Sequence, residues 1–496
     1  MGRRSTLPFA IAFCVALCLV FLMLPGCGPS KLAKKRSSRV HENQGLIHLN
    51  LGEYDQALAE LNMAIQLDSL YTDAYFNRGN VYYVTEAYES AVADYDRTLE
   101  LDRRNVKALN NRGRANSMLG HERRAFLDFS KAIEMDRDFA DAYFNRANIL
   151  MEVGEYDPAK KDFTRAIEAD SSYIDAYFGR GNARRRLEEY GPAIEDYTVT
   201  VERMPRHFEA HHNRGLAYQR LGDNEKAIED YTRAIDIDPN RHQTYRNRAK
   251  ACVAMDDHES ALADYDRIIR LDPLALDPYR GRANIYHAAG DCEMALADYR
   301  RIIELNPTET DAFINMAGIY SETGDYARAI EAYAAVIELN PIDADAYSNR
   351  GILHDENGDF NLAIADYTKA IEIDPEKAEA YNNRGAAYAR MRNDTRALAD
   401  YTRAIELNPV YATAYYNRGN IYYNLGRYAE AASDHLEALG LNPDHASTYY
   451  SLARALEAAG HTSRAVRAYR DYVDHAAGEN HARIDRARQR IRQLEK

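Results

Sequence analysis

The sequence predicts an all-α solenoid of about thirteen helical hairpins, and three observations lead there. Residues 38–479 fall into register on a 34-residue period without insertion or deletion. Glycine and proline are sparse (26 and 14), tryptophan is absent, and alanine, leucine, glutamate and arginine recur, which favours helix over strand. There are 38 tyrosines against 13 phenylalanines, as expected when one aromatic position has been copied many times.

The chain opens with Arg3 and Arg4, an apolar run from Leu7 to Leu24, and then Pro25-Gly26-Cys27. A basic start, an apolar stretch and a small residue at its end form a secretory signal over residues 1–26. Leu24-Pro25-Gly26-Cys27 resembles a bacterial lipobox, although its proline departs from the usual pattern; the resemblance implies a lipidated Cys27 and a lipid-anchored protein of the bacterial cell envelope. The alternative is an uncleaved anchor, since about eighteen apolar residues are enough to span a bilayer. Residues 27–37 read as a basic linker. Its Lys31, Lys34, Lys35 and Arg36, with Arg39 just beyond, outnumber the two arginines before the apolar run, and on the positive-inside rule this would keep the repeats in the cytoplasm. Either reading tethers the body beside a membrane.

Written from Ser38 in rows of 34, the body aligns in columns. Column eight is glycine or alanine (Gly45, Gly79, Gly113, Ala147 and onward) and column twenty is alanine in every row, from Ala57 to Ala465. Such small residues let two helices cross closely. Column four is aromatic in ten rows and column twenty-four in eleven (Tyr95, Phe129, Phe163 among them). Glycine recurs at column fifteen (Gly52, Gly120, Gly154, Gly222), marking the turn inside each hairpin, and proline closes eight rows, from Pro205 to Pro443. This pattern is similar to the tetratricopeptide repeat. The resemblance covers thirteen rows and implies a right-handed superhelix whose first helices line a concave, peptide-binding surface. Residues 480–496 then read as a capping helix with Ile484, Ala487, Ile491 and Leu494 on one face.

One charge pair is written into the repeats. Column seven is arginine in ten rows, including Arg78, Arg214 and Arg384; column twenty-three is aspartate in the same ten, including Asp94, Asp230 and Asp400. The three rows without the arginine carry Gln44, Met316 and Leu452, and there Glu60, Ala332 and Ala468 replace the aspartate. The coincidence predicts an Arg–Asp bridge between the two helices of each hairpin, a structural pair and no ligand site.

The columns that the resemblance places on the concave face include column six. It holds Asn43, Asn77, Asn111, Asn145, Asn213, Asn247, Asn315, Asn349, Asn383 and Asn417. An asparagine offers a donor and an acceptor, so a stacked series can pair with the backbone of an extended peptide. It resembles the asparagine ladder in the repeat domain of the O-linked N-acetylglucosamine transferases. The alternative is that these amides bond the adjacent repeat. Along the same face Phe76, Tyr83, Phe144 and Phe178 are aromatic, Arg185, Arg186, Arg220, Arg246, Lys250 and Arg280 form a basic patch, and Tyr416, Tyr423 and Tyr450 return aromatic character. An acidic peptide would suit the basic centre. The chaperone-tail clamp of related modules is improbable: Arg280, Asn284 and Asn315 fit its first half, but Asp345 and Asn349 stand where basic residues are needed.

The net charge of −14 gives no electrostatic reason to seek nucleic acid. Cys252 and Cys292, the two cysteines of the body, form no disulfide framework. His207, His211 and His212 lack the spacing of a helical metal pair. No catalytic constellation is visible. The reading is a non-enzymatic, membrane-tethered adaptor for envelope assembly or secretion, with no cofactor, no metal and no small-molecule substrate. An anchored cytoplasmic scaffold and an accessory subunit of a glycosyltransferase-type enzyme are the alternatives.

Overall fold

The computed structural model describes residues 30–476 and 481–496. The apolar run and Cys27 lie outside the described residues. Within them are twenty-seven helices and no strand. The chain divides into two units, residues up to Ala261 and from Leu262 onward, with the boundary inside one helix.

In the first unit, α1 (Lys31–Leu51) pairs with α2 (Tyr54–Leu67), α3 (Thr72–Val84) with α4 (Tyr88–Leu101), and α5 (Val106–Met118) with α6 (Glu122–Met135). Then come α7 (Ala140–Glu152) with α8 (Tyr156–Ala169), α9 (Ile174–Arg186) with α10 (Tyr190–Arg203), and α11 (Phe208–Arg220) with α12 (Asn224–Ile237). Helix α13 (His242–Ala254) precedes α14 (His258–Leu271), which holds the boundary. The second unit continues with α15 (Leu276–Ala288), α16 (Cys292–Leu305), α17 (Thr310–Glu322), α18 (Tyr326–Leu339), α19 (Ala344–Glu356) and α20 (Phe360–Ile373). It ends with α21 (Ala378–Arg390), α22 (Asp394–Leu407), α23 (Ala412–Asn424), α24 (Tyr428–Leu441), α25 (Ala446–Ala458), α26 (Thr462–His475) and α27 (His481–Leu494). The architecture is the expected all-α solenoid.

Each hairpin closes through a residue with left-handed backbone at column fifteen. At Gly52 (φ 75°) the amide donates to the Leu49 carbonyl at 3.1 Å, and the Glu53 amide reaches the His48 carbonyl at 2.8 Å. These bonds satisfy carbonyls that the helix end leaves open. Glu86, Glu188, Asp256 and Arg392 adopt the same conformation without being glycine, at φ between 57° and 62°.

The column of alanines is fully buried in every hairpin of both units, from Ala57 to Ala465. The column-eight glycines do more than permit close crossing. A Cβ on Gly79 would lie 2.8 Å from the Tyr95 ring, and one on Gly181 would lie 2.8 Å from Tyr197, so the missing side chain is the seat of the column-twenty-four ring. Those rings are themselves wholly buried. Where column eight is Ala147 the ring moves: Phe163 lies so close to Gly179 of the next hairpin that a Cβ there would come within 2.5 Å. Gly179 occupies column six, where most rows have asparagine.

The predicted charge pairs form. Arg78 Nε and Nη2 donate to the two Asp94 carboxylate oxygens at 2.7 and 2.6 Å, and Arg384 donates to both Asp400 oxygens at 2.8 Å. Arg214 spans Asp230 at 2.7 and 2.8 Å. Arg112, Arg146, Arg180, Arg282, Arg350 and Arg418 bind their aspartates in the same manner. In the tenth, Arg248 and Asp264 belong to different units. The forked geometry is one that guanidinium and carboxylate planes favour. The hydrogen bonds that Arg384 donates to Asp400 hold its guanidinium even further above neutral pH than usual.

Helix α1 begins at Lys31, so the stretch expected as a linker is, from Lys31 on, two exposed helical turns ahead of the first hairpin. At the other end α27 packs Ile484, Ala487, Ile491 and Leu494 against Tyr469 and Tyr472, as a cap must.

Candidate functional site

Successive first helices approach one another: α3 touches α5, α5 touches α7, α7 touches α9, and so on to α13 in the first unit, and in the second α19 touches α21, α21 touches α23 and α23 touches α25. That side of each unit carries the columns expected to face a ligand.

The asparagines of column six do sit there, and five of the ten use their amide nitrogen on the preceding hairpin. Asn77 Nδ2 donates to Glu42 Oε1 at 2.7 Å, Asn111 to Asn80 Oδ1 at 2.9 Å, and Asn145 to Asn110 Oδ1 at 2.9 Å. Asn213 donates to Asn182 Oδ1 at 2.9 Å and Asn417 to Asn382 Oδ1 at 3.1 Å. Asn247 accepts from Gln243 at 3.0 Å and Asn383 from Asn382 at 3.2 Å. Asn315 is exposed and donates to the Asp311 carbonyl of its own helix at 2.8 Å. Inter-hairpin bonding is thus a use of these amides in the free protein. For Asn145, Asn213 and Asn417 it engages the nitrogen and leaves the carbonyl oxygen as the acceptor.

The acceptors of these bonds are residues that sequence reading passed over. Of them, Asn80 and Asn182 at column nine also receive the hydroxyls of Tyr95 (2.9 Å) and Tyr197 (2.8 Å), and Asn284 in the same column receives that of Tyr299 (2.6 Å). The sequence carries no clear signal for this: column nine is also asparagine at Asn148 and Asn420, where column twenty-four is Phe163 and His435.

In the first unit Asn110, Asn111 and Asn145 floor a cleft of about 360 Å³ walled by Phe76, Phe139, Phe144 and Tyr173, with Lys107, Arg114 and Asp141 at its rim. Phe144 and Tyr173 pack at 4.9 Å between ring centres. The Arg114 guanidinium lies 4.7 Å over Tyr83, and Phe178 packs against His207 at 4.6 Å. Of the predicted aromatic stretch, Phe76 and Phe144 thus line the recess, while Tyr83 and Phe178 lie outside it. In the second unit Tyr416 and Asn417 border a smaller cleft of about 190 Å³ with His445. Tyr423 and Tyr450 border another of about 530 Å³, closed by Arg486 and Arg490 of α27.

The basic patch is smaller than expected. Arg185 and Arg186 end α9, Arg220 ends α11, and Arg246 and Lys250 lie on α13. Among the described residues no carboxylate pairs with Arg185, Arg186, Arg220 or Lys250. Arg280 leaves the patch: its Nη2 donates to Glu309 Oε1 at 2.7 Å, so its charge is already met within the second unit. The three histidines each have another task. His207 Nδ1 accepts the Ala210 amide at 3.2 Å as a helix cap, and His211 bridges Asp230 and the Pro205 carbonyl, both at 3.1 Å. His212 meets Thr244 Oγ1 at 3.0 Å; burial, helped by the Arg185 charge, pushes its imidazolium down to about 4.

Comparison with known proteins fits this geometry. Models described as tetratricopeptide repeat match residues 72–105, 140–173, 208–241, 412–445 and 246–310. One described as TPR repeat matches 45–85, 317–358, 356–391 and 393–426. No curated protein sequence matches the chain. Among solved structures the chain is similar to MamA at 28% identity over 34% of this chain and 91% of that one, with a TM-score of 0.32. It is similar to YrrB, described as a TPR protein with an unusual peptide-binding site, at 26% identity over 38% and 96%, TM-score 0.33. Yeast Tom70 matches at 16% identity over 86% and 96%, TM-score 0.36. With repeat models matching along both units, the chain belongs to the tetratricopeptide-repeat family.

Proposed function

We propose that this protein is a membrane-tethered, non-catalytic adaptor that holds extended acidic segments of partner proteins against the first helices of its N-terminal unit. The observation that carries this reading is the set of cations without carboxylate partners, Arg185, Arg186, Arg220 and Lys250, on three successive first helices of a chain with net charge −14. Uncompensated positive charge on an acidic protein attracts acidic partners and speeds their encounter. The aromatic cleft at Phe76 and Phe144 supplies an apolar recess for a side chain of the same segment. Asn145 and Asn213 offer Oδ1 to its backbone amides, each bond contributing about 0.5–1.5 kcal/mol.

The tether rests on residues 1–27, through a lipidated Cys27 in the bacterial envelope, with envelope assembly or secretion as the setting. The five basic residues from Lys31 to Arg39 favour the second arrangement, an inner-membrane anchor with the repeats in the cytoplasm. Protease access in intact spheroplasts separates the two. Binding is tested with the full chain in detergent and fluorescent oligo-glutamate and oligo-lysine peptides. The acidic probe should bind more tightly, and Arg185→Glu with Arg220→Glu and Lys250→Glu should weaken it at least tenfold, about 1.4 kcal/mol. Equal affinity for both probes, or an unchanged triple variant, removes the reading.

A further inference from the structure

Helix α1 has 21 residues where every later first helix has 13, and its extra turns are not used in packing. Lys31 to Arg36 are all exposed, and the face buried against the hairpin is carried by Ser38, Glu42 and Gly45. On the opposite side Leu32 (63% exposed), Val40 (56%), Ile47 (57%) and Leu51 (66%) are open to solvent. At 100° per residue these four fall within an arc of roughly 100° and run roughly 29 Å along the helix. At the other end of the repeats α27 covers the last hairpin; among the described residues nothing covers this stripe.

Charge identifies the occupant. Lys31, Lys34, Lys35, Arg36 and Arg39 crowd the first nine positions, and no acidic residue occurs in α1 before Glu42. No helix of the described residues is long and apolar enough to cross a membrane, α1 included. Arg36 falls inside the arc of the apolar stripe, and Arg39 and Lys35 lie beyond its Leu32 side. Apolar side chains next to such cations suit a helix lying in the plane of a bilayer surface, its stripe among the acyl chains and its cations at anionic headgroups. The chain outside the described residues leads directly into this helix, and its sequence from Leu7 to Leu24 is apolar. We infer that α1 is a membrane-surface helix specific for anionic lipid, which lays the first hairpin against the bilayer. The inference rests in part on the proposed tether, and the two fail differently.

The test is amide hydrogen exchange on the full chain, reconstituted with phosphatidylcholine vesicles and with vesicles of phosphatidylcholine and phosphatidylglycerol. Vesicle association is read by flotation. On the anionic vesicles, amides between Leu32 and Val40 should exchange at least tenfold more slowly, roughly, than on neutral ones. Lys34→Glu with Lys35→Glu and Arg36→Glu should abolish the difference, as should Leu32→Ser with Ile47→Ser. All five side chains are exposed, so the fold should survive. A chain that floats with both vesicle types yet shows no α1 protection overturns the inference and keeps the tether. Equal protection on both vesicle types overturns the lipid specificity, and with it the inference. Protection that appears without vesicles and rises with protein concentration assigns the stripe to a second copy and overturns it as well. A chain that floats with neither disposes of both readings.

Discussion

Removing Asp400 alone should destabilise its hairpin far more than removing Asp400 together with Arg384. Both side chains are largely enclosed, 16% exposed for the arginine and 9% for the aspartate, and two bonds of 2.8 Å join them. Asp400→Ala strands a guanidinium whose other bond, from Nη1 to Thr368 Oγ1 at 3.1 Å, cannot neutralise it. Leaving one member of such a pair unmatched costs about 3–5 kcal/mol, whereas an apolar replacement of both is often neutral. The molecule contains its own control: the last hairpin has buried Leu452 and Ala468 in these two columns, at 5% and 3% exposure. Arg384→Leu with Asp400→Ala copies that solution and should fall within about 1 kcal/mol of the parent. Long repeat arrays need not unfold as one unit, so the assay is native-state hydrogen exchange of the amides in α21 and α22. Protected amides there should exchange roughly a hundred- to a few-thousand-fold faster in the single variant and close to the parent rate in the double. A single variant within about 1 kcal/mol of the parent, or a double as damaged as the single, would refute the reasoning.

Two other perturbations test the packing. His435 takes the aromatic column of the twelfth hairpin, is fully buried, and has no hydrogen-bond partner for either ring nitrogen. Burial holds it down to about 4, below its unfolded value near 6.5, so its contribution is intact above pH 6.5 and lost as pH falls toward 4. Exchange in α23 and α24 should accelerate across that window by up to roughly 3 kcal/mol in the parent, and His435→Tyr should flatten the extra slope. Glu86→Gly, Glu188→Gly and Arg392→Gly relieve left-handed backbone that costs an L residue about 1–2 kcal/mol, offset in part by the greater freedom of unfolded glycine. Each should stabilise its hairpin by about 0.5–1 kcal/mol in the same exchange measurement, and a loss of stability would count against the turn argument.

The solenoid and its internal bridges were legible because each row is a control on the others. Arg78 and Asp94 vary together with their counterparts down the chain, which is contact information without an alignment. Lys31 to Ser37 were read as linker because they precede the repeat register, and exposed basic residues show no periodicity even when helical. The bonding of the asparagines to the adjacent repeat is one of the two readings the sequence offers, but the acceptors are hidden because they alternate between columns, Asn80 and Asn182 in one, Glu42, Asn110 and Asn382 in another. Arg280 looked available because its partner, Glu309, is 29 residues on, in a column of no fixed character.

The displaced ring of Phe163 limits how this protein could be cut and rejoined. Residues 174–207 are one complete period, and their excision keeps every column in step. It would nevertheless set Phe163 against Asn213 in place of Gly179, where even a single methyl has no space. Some neighbours here are matched as key and keyway. Such an array tolerates reordering only at joints where the ring stays within its own hairpin, as Tyr197 does beside Gly181, and lineages that gain or lose repeats should do so there.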